Sequence, residues 1–330
     1  FNAEESGLCA RMFGVVLSSL FENTEIHGKG TIELRKIDFS FLEQLGVKIK
    51  STNNFLPISI SGKIKAGIIN IDGSQGSQLL SGLLIALPFL EEDSIINVRD
   101  LVSKPYINMT IALLDDFGIK IVNNNYKSFF VKGSQNSIVS TYNVEGDWSG
   151  AAFHLVGAAI SGSVNIEGLN INSLQADRAI IYVLELCGAN IKFENDIVSI
   201  RKNNLNPFLF DATDCPDLFP PIVALASCCN GRSIITGAKR LKNKESNRAY
   251  TLQQEFGKLG VVIKIEDNNM IIEGGNQILG GNVNSHQDHR IAMALSVMAS
   301  VSDKPISIRN YEAVSKSYST FYSDLSSVSS

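Results

Sequence analysis

The sequence predicts an α/β fold of two domains, assembled from a tandem repeat whose helices lie inside and whose sheets lie outside. With 330 residues and 44% hydrophobic content, the chain can bury more than one core. Four segments, FLEQLGVKI (41 to 49), LLDDFGIKI (113 to 121), VLELCGANI (183 to 191) and EFGKLGVVI (255 to 263), each read as the end of an amphipathic helix, a glycine and an apolar-alternating strand. Their glycines, Gly46, Gly118, Gly188 and Gly260, stand 72, 70 and 72 residues apart. Glycine enters the left-handed conformation that closes a helix at little cost, so the period marks one repeated helix end.

Halfway between these ends lies a second helix type. In chain order, ESGLCARMFGVVLSSL, SQGSQLLSGLLIALPF, GDWSGAAFHLVGAAI, DCPDLFPPIVALASC and QDHRIAMALSVMA open on small or polar residues and then turn almost wholly apolar, rich in alanine and glycine. A helix apolar on every side is buried on every side. Alternating runs such as GSVNIEGLNI and DKPISIRNYEAV supply strands. Each repeat therefore holds one buried helix, one amphipathic helix and several strands. Because the helices are the greasy elements, they belong in the centre.

Composition narrows the function classes. A net charge of −4 argues against a general nucleic-acid binder, which needs clustered positive charge, so any anion site must be local. The five cysteines, Cys9, Cys187, Cys215, Cys228 and Cys229, have neither CxxC spacing nor the density of a disulfide framework, and reduced thiols in the cytoplasm are expected. No apolar run of membrane-spanning length appears, and neither membrane nor nucleic-acid partners are expected.

The polar clusters collect where buried helices begin. Free backbone N–H groups and the helix dipole favour anions at such ends. DGSQGSQ (72 to 78) offers Ser77 and Gln78, KNKESNR (242 to 248) offers Lys244, Glu245 and Arg248, QDHR (287 to 290) offers His289 and Arg290, and VSKSY (314 to 318) offers Lys316 in a short loop after a strand. Singly, each reads more readily as a capped helix, a solvated charged face or an ordinary surface lysine than as a site. Jointly they stand at equivalent ends of the repeats, and repeats arranged about an axis would bring them together.

GSQGSQLL, LVSKPYINMT, VEGDWSGAAF, DCPDLFPPIVALA, LKNKESNR, QDHRIAMA and VSKSY, in this order along essentially the whole chain, resemble the successive motifs of the EPSP synthase (3-phosphoshikimate 1-carboxyvinyltransferase) family. The resemblance implies a two-domain inside-out α/β barrel of the enolpyruvyl transferase kind, built from six βαβαββ units. Residues 1–144 would form most of one domain and 145–330 the other, with the active site between them. The implied reaction moves the enolpyruvyl group of phosphoenolpyruvate onto the 5-hydroxyl of shikimate 3-phosphate and releases phosphate. No cofactor or metal is implied, and a cytoplasmic monomer acting on two small molecules is expected. Carried over by position, Ser77, Gln78, Ser103, Tyr106 and Lys244 would hold shikimate 3-phosphate, with Gln78 also near phosphoenolpyruvate. Arg35, Arg248, Arg290 and Lys316 would cage phosphoenolpyruvate beside a backbone contact from Gly7. Asp217 would take the hydroxyl proton, with Glu245 or Lys316 as the second acid–base group and His289 a neighbour.

The chemistry asks for these residue types by itself. Two substrates bearing phosphate and carboxylate groups repel each other in one pocket, and planar guanidinium forks engage such oxyanions bidentately. Addition followed by elimination needs proton transfer on two sides of the intermediate. The chain departs from the family pattern at Leu8, Lys36, Gly76 and Asn247, and SYSTFY after Lys316 lacks the usual Pro-Asp pair. A sister enzyme acting on UDP-N-acetylglucosamine uses a cysteine in a loop that here reads HGKGTIEL and has none. A noncatalytic relative with the same fold is the other alternative. The chain starts at Phe1 with a buried-helix segment, so the family's opening segment, with a lysine, a serine and an arginine that bind both substrates, is expected before it. As written, the chain is then expected to be only partly stable and inactive.

Overall fold

The computed structural model describes residues 1–139, 141–195 and 197–328. The chain forms two compact units, Phe1–Asn143 and Val144–Ser330. The first contains α1 (Gly7–Leu20), β1 (Asn23–Ile26), β2 (Lys48–Thr52), β3 (Phe55–Ser61), β4 (Ile68–Asp72), α2 (Gln78–Ala86), β5 (Ser94–Arg99), α3 (Lys104–Asp116), β6 (Ile121–Asn124) and β7 (Ser128–Val131). The second contains α4 (Trp148–Ser161), β8 (Ser163–Glu167), α5 (Ile180–Leu186), β9 (Asn190–Glu194), β10 (Ile197–Arg201), β11 (Leu209–Asp211), α6 (Phe219–Ser227), β12 (Arg232–Thr236), α7 (Arg248–Lys258), β13 (Val262–Glu266), β14 (Asn269–Glu273), β15 (Gly281–Asn284), α8 (His289–Met298), β16 (Ile306–Arg309) and α9 (Phe321–Val328).

The βαβαββ unit appears whole in both. β4, α2, β5, α3, β6 and β7 make a sheet of order β4-β5-β7-β6, and β11, α6, β12, α7, β13 and β14 make one of order β11-β12-β14-β13. In each the first two strands run parallel, joined across a buried helix, and the remaining pairs are antiparallel. The sheets β1-β3-β2 and β8-β10-β9 repeat the later part of this pattern. Where the leading strand would pair, Asn2 makes a single parallel bridge to His27, and Gly146 N–H donates to the Gly168 carbonyl at 3.0 Å. The parallel pair β15 and β16 flanks α8 in the same way.

The layers are inverted as the sequence predicts. All nine residues of α6, nine of ten in α8 and eleven of fourteen in α4 are buried, whereas α3 buries two of thirteen. α4, α6 and α8 pack on one another as the centre of the second unit, and in the first α1 packs on α2. α1 departs from the expectation, burying only five of its fourteen residues and leaving Leu8, Phe13 and Leu20 exposed. Strands alternate in burial, as in β1 and β4, with one face on the helices and the other in solvent. The small residues of the buried helices are what let them approach: a Cβ at Gly82 of α2 would lie 2.8 Å from the Met12 carbonyl oxygen of α1.

All four repeat glycines close helical segments at positive φ, namely 91° at Gly46, 82° at Gly118, 79° at Gly188 and 86° at Gly260. The element before Gly46 differs from the amphipathic α-helix expected. It is a 3₁₀ helix over Ser40–Leu45; just before it Arg35 is extended and Ile37 N–H donates to the Asn54 carbonyl, which ties the chain to the turn between β2 and β3 where a longer helix would have to begin. Among the described residues no helix is long and apolar enough to cross a membrane.

Candidate active site

In the first unit, Ser6 caps α1 by accepting from Cys9 N–H at 3.1 Å, which leaves Gly7 as the first helical residue. A side chain there would collide with Arg11, whose Nη1 would lie 2.7 Å from its Cβ, and would press on Arg35 Nη1 at 3.2 Å. Arg11 donates back to the Gly7 carbonyl and across to Gln78 Oε1, both at 3.2 Å, while Arg35 Nη2 reaches the Glu5 carbonyl at 3.4 Å. Gly7, Arg35 and Gln78 are thereby gathered around Arg11. Ser77 and Ser103 are the cap residues of α2 and α3, both buried. Their loops lie against each other, since Val102 N–H donates to the Gly73 carbonyl at 3.3 Å, and Ser81 and Thr110 hydroxyls meet at 2.9 Å between the helices. Ser103 takes a left-handed φ of 58°, a conformation that a non-glycine residue keeps only when its surroundings enforce it. Tyr106 follows on the first turn of α3, with its N–H donating to the Ser103 carbonyl at 3.2 Å.

The second unit holds a tighter cluster. Asp217, in the 3₁₀ turn Pro216–Leu218 that leads into α6, accepts on Oδ1 from Lys244 Nζ at 3.1 Å and Arg248 Nη1 at 2.7 Å, while its Oδ2 lies 3.4 Å from Arg290 Nη2. Burial alone would push this carboxyl up, but Arg290, Lys244 and Arg248 together hold it well below the usual carboxylate range. Arg248, the first residue of α7, is 1% exposed and also pairs with Glu245 at 2.5 Å and with Asp288, Nε to Oδ2 at 2.8 Å. Its guanidinium is thus ringed by three carboxylates, which outweigh the cost of burying the charge and raise its pKa.

The crowding at QDHR now has a physical cause. Asp288 caps α8, accepting from Arg290 N–H at 3.0 Å, and with its other oxygen anchors the buried Arg248. His289 is buried rather than solvated, its Nδ1 without a hydrogen-bond partner among the described residues, and burial together with Arg290 and Arg248 lowers its pKa to about 4. The imidazole is neutral at pH 7. Lys316 ends the 3₁₀ helix Tyr311–Lys316, rather than lying in an open loop, and its Nζ donates to the Gln287 carbonyl at 2.7 Å. Asp217, Lys244, Glu245, Arg248, His289, Arg290 and Lys316 are thereby drawn together from four segments of sequence.

Ordered motifs at the starts of buried helices, in a chain of βαβαββ units, match a family model described as EPSP synthase (3-phosphoshikimate 1-carboxyvinyltransferase) over residues 2–325. The chain belongs to the EPSP synthase family. The 3-phosphoshikimate 1-carboxyvinyltransferase of Clostridium novyi (strain NT) is 38% identical to it, over 99% of this chain and 76% of its own length. That of Clostridium botulinum (strain Eklund 17B / Type B) is 40% identical over 98% and 76%. Among solved structures, an EPSP synthase from Acinetobacter baumannii superposes with a TM-score of 0.81 at 25% identity, covering 99% of this chain and 78% of its own.

Three groups in these two clusters escaped the sequence reading. Arg11 is the lone charge within an apolar helix, four residues after Gly7, and that isolation was its signal. Asp177 is 4% exposed and accepts from Ser149 Oγ at 2.5 Å; burial pushes it up to about 6, with Arg290 opposing and Asp217 assisting. No local pattern marks it. Glu255, 0% exposed, braces the left-handed residues His286 and Gln287 ahead of Asp288 through His286 Nε2 at 2.8 Å. It lies on the inner face of α7, where an apolar residue is expected.

Proposed function

We propose that this chain transfers the enolpyruvyl group of phosphoenolpyruvate to the 5-hydroxyl of shikimate 3-phosphate, with Asp217, Glu245 and Lys316 as its acid–base groups. The observation that carries the proposal is Asp217 at salt-bridge distance from three cations, Lys244, Arg248 and Arg290. In the reaction, a proton adds to the methylene carbon of phosphoenolpyruvate and the adjacent carbon gains cationic character. The 5-hydroxyl oxygen attacks that carbon while its proton passes to a base. The methyl carbon then returns a proton, the carbon–oxygen bond to phosphate breaks, and the double bond re-forms as inorganic phosphate leaves.

Asp217 is the group proposed to receive the hydroxyl proton, and its surroundings suggest how. A carboxylate gripped by three cations is a weak base, but the phosphate and carboxylate oxygens of the substrates compete for Arg290 and Lys244. Each cation drawn away leaves burial, the largest influence on Asp217, to raise its basicity. Substrate charge thus arms the base. Arg248 is bound by Asp288, Glu245 and Asp217, and it fixes the positions of Asp217 and Glu245 about one guanidinium plane. Neutral His289 offers a hydrogen bond without adding charge. In the first unit, Ser77, Ser103 and Tyr106 at helix starts supply hydroxyls for shikimate 3-phosphate, and Arg35 with Gly7 supplies donors for phosphoenolpyruvate. A cytoplasmic monomer acting on these two small molecules is part of the same proposal.

The test is phosphate release by the protein as its gene encodes it. Release that requires both phosphoenolpyruvate and shikimate 3-phosphate supports the proposal. Release with UDP-N-acetylglucosamine instead, or with neither acceptor, refutes it.

A further inference from the structure

The buried helix α4 carries one titratable side chain, which the chemistry above leaves unused. His154 is 8% exposed, and its Nε2 lies 3.1 Å from the hydroxyl of Tyr318. Tyr318 stands two residues after Lys316 and is hydrogen-bonded through its side chain to Asp324 of α9, whose Oδ2 also accepts from Thr320 Oγ1 at 2.9 Å. The chain of bonds has a fixed direction. An ionised carboxylate only accepts and a phenol has one hydrogen, so Tyr318 donates to Asp324 and accepts from His154, which must carry its proton on Nε2. Burial lowers the His154 pKa although Asp324 opposes it, and burial with the bond to Asp324 pushes Tyr318 up to about 12. Both rings are therefore neutral near pH 7.

The Tyr318 ring is held from three sides. A Cβ at Gly150, on the first turn of α4, would come within 3.2 Å of its Cδ1 and Cε1. His154 meets it at 72° with centroids 5.6 Å apart, and Phe321 at 69° and 5.6 Å. Its backbone N–H and that of Ser317 both donate to the Val314 carbonyl, at 2.8 and 3.1 Å, which closes the turn that carries Lys316.

We propose that His154, Tyr318 and Asp324 form a positioning device for Lys316, fastening the turn that bears it to the buried helix α4. The proposal rests on the role given to Lys316 above. A turn with no such tie would let the amine wander by an ångström or more, a displacement that can cost about 10²-fold in rate.

The test uses the protein as its gene encodes it, with two readouts. Nitrogen-15 NMR should find His154 as the Nε2–H tautomer throughout about pH 6 to 8, and Tyr318→Phe should shift its signals. An Nδ1–H ring, or one titrating near 6.5, overturns the hydrogen-bond chain whatever Lys316 does. In kinetics, Tyr318→Phe should lower kcat by about 10- to 100-fold with little change in the KM for shikimate 3-phosphate. In a Lys316→Ala background the same change should add no further loss. Should Tyr318→Phe fold poorly with His154 N–H unpartnered, His154→Phe/Tyr318→Phe removes both polar groups and should show the same loss of kcat. Full additivity with Lys316→Ala, or a normal kcat in the double variant, overturns the positioning role. A parent that releases no phosphate overturns the catalytic role of Lys316 instead, and the tautomer still decides the bond chain.

Discussion

The guanidinium of Arg248 and the carboxylate of Asp288 meet through two hydrogen bonds, Nε to Oδ2 at 2.8 Å and Nη2 to Oδ1 at 3.2 Å, with the arginine 1% and the aspartate 0% exposed. Asp288 also caps α8, so one side chain fixes the start of a buried helix and the orientation of a buried cation.

Asp288→Asn separates these roles. Asparagine caps a helix as well as aspartate does, but it leaves Arg248 without its deepest counter-charge. Removing one partner of a buried pair costs about 3–5 kcal/mol, and with Asp217 and Glu245 still in place the lower end is expected. Asp288→Ala should cost about 1 kcal/mol more through the lost cap. Urea denaturation of both variants measures the difference; equal stability of parent and Asp288→Asn would mean the pair contributes nothing.

The depressed pKa of His289 predicts a pH effect on stability. Its folded value is about 4 against an ordinary 6.5, so between these limits the unfolded chain binds the proton more readily. The stability tied to the neutral ring is whole above pH 6.5 and is lost as pH falls toward 4, by at most about 3 kcal/mol. Proton NMR should find the His289 ring untitrated at pH 6, and His289→Gln should flatten the acid limb of a stability profile. Titration near 6.5 would contradict the burial argument.

Gly46 and Gly82 are glycines for different reasons, and alanine separates them. At Gly46 a Cβ has ample room, with Lys65 Cδ at 3.9 Å, so Gly46→Ala should cost only the left-handed backbone, about 1 kcal/mol. At Gly82 the backbone is helical but the Cβ meets Met12 O at 2.8 Å and Val15 Cβ at 2.9 Å, so α1 and α2 must part. Gly82→Ala should cost about 2–3 kcal/mol. Equal losses in thermal or urea unfolding would contradict this.

What the sequence makes legible is local. Gly46, Gly118, Gly188 and Gly260 announce themselves because a left-handed helix end is decided by one residue, and α4, α6 and α8 because a helix apolar all round has nowhere to go but inside. Asp217, Lys244, Glu245, Arg248, His289, Arg290 and Lys316 stand in short motifs at helix starts, where chemistry and capping use the same residue types. Asp177 was not legible, since its meaning depends on Ser149, 28 residues away, and on the charges of Arg290 and Asp217. His154 and Tyr318 are 164 residues apart, and nothing in either segment foretells their bond. The 3₁₀ helix over Ser40–Leu45 differs from the expected α-helix, and the tie from Ile37 to Asn54 just ahead of it is likewise nonlocal.

The central claim is that Asp217 takes the acceptor's proton, and the most direct measurement is phosphate release by Asp217→Asn beside the parent, with shikimate 3-phosphate binding followed by calorimetry. The amide keeps the shape and loses the proton acceptor, so turnover should fall by about 10²–10⁴-fold while shikimate 3-phosphate still binds. Near-normal turnover in Asp217→Asn would contradict the account.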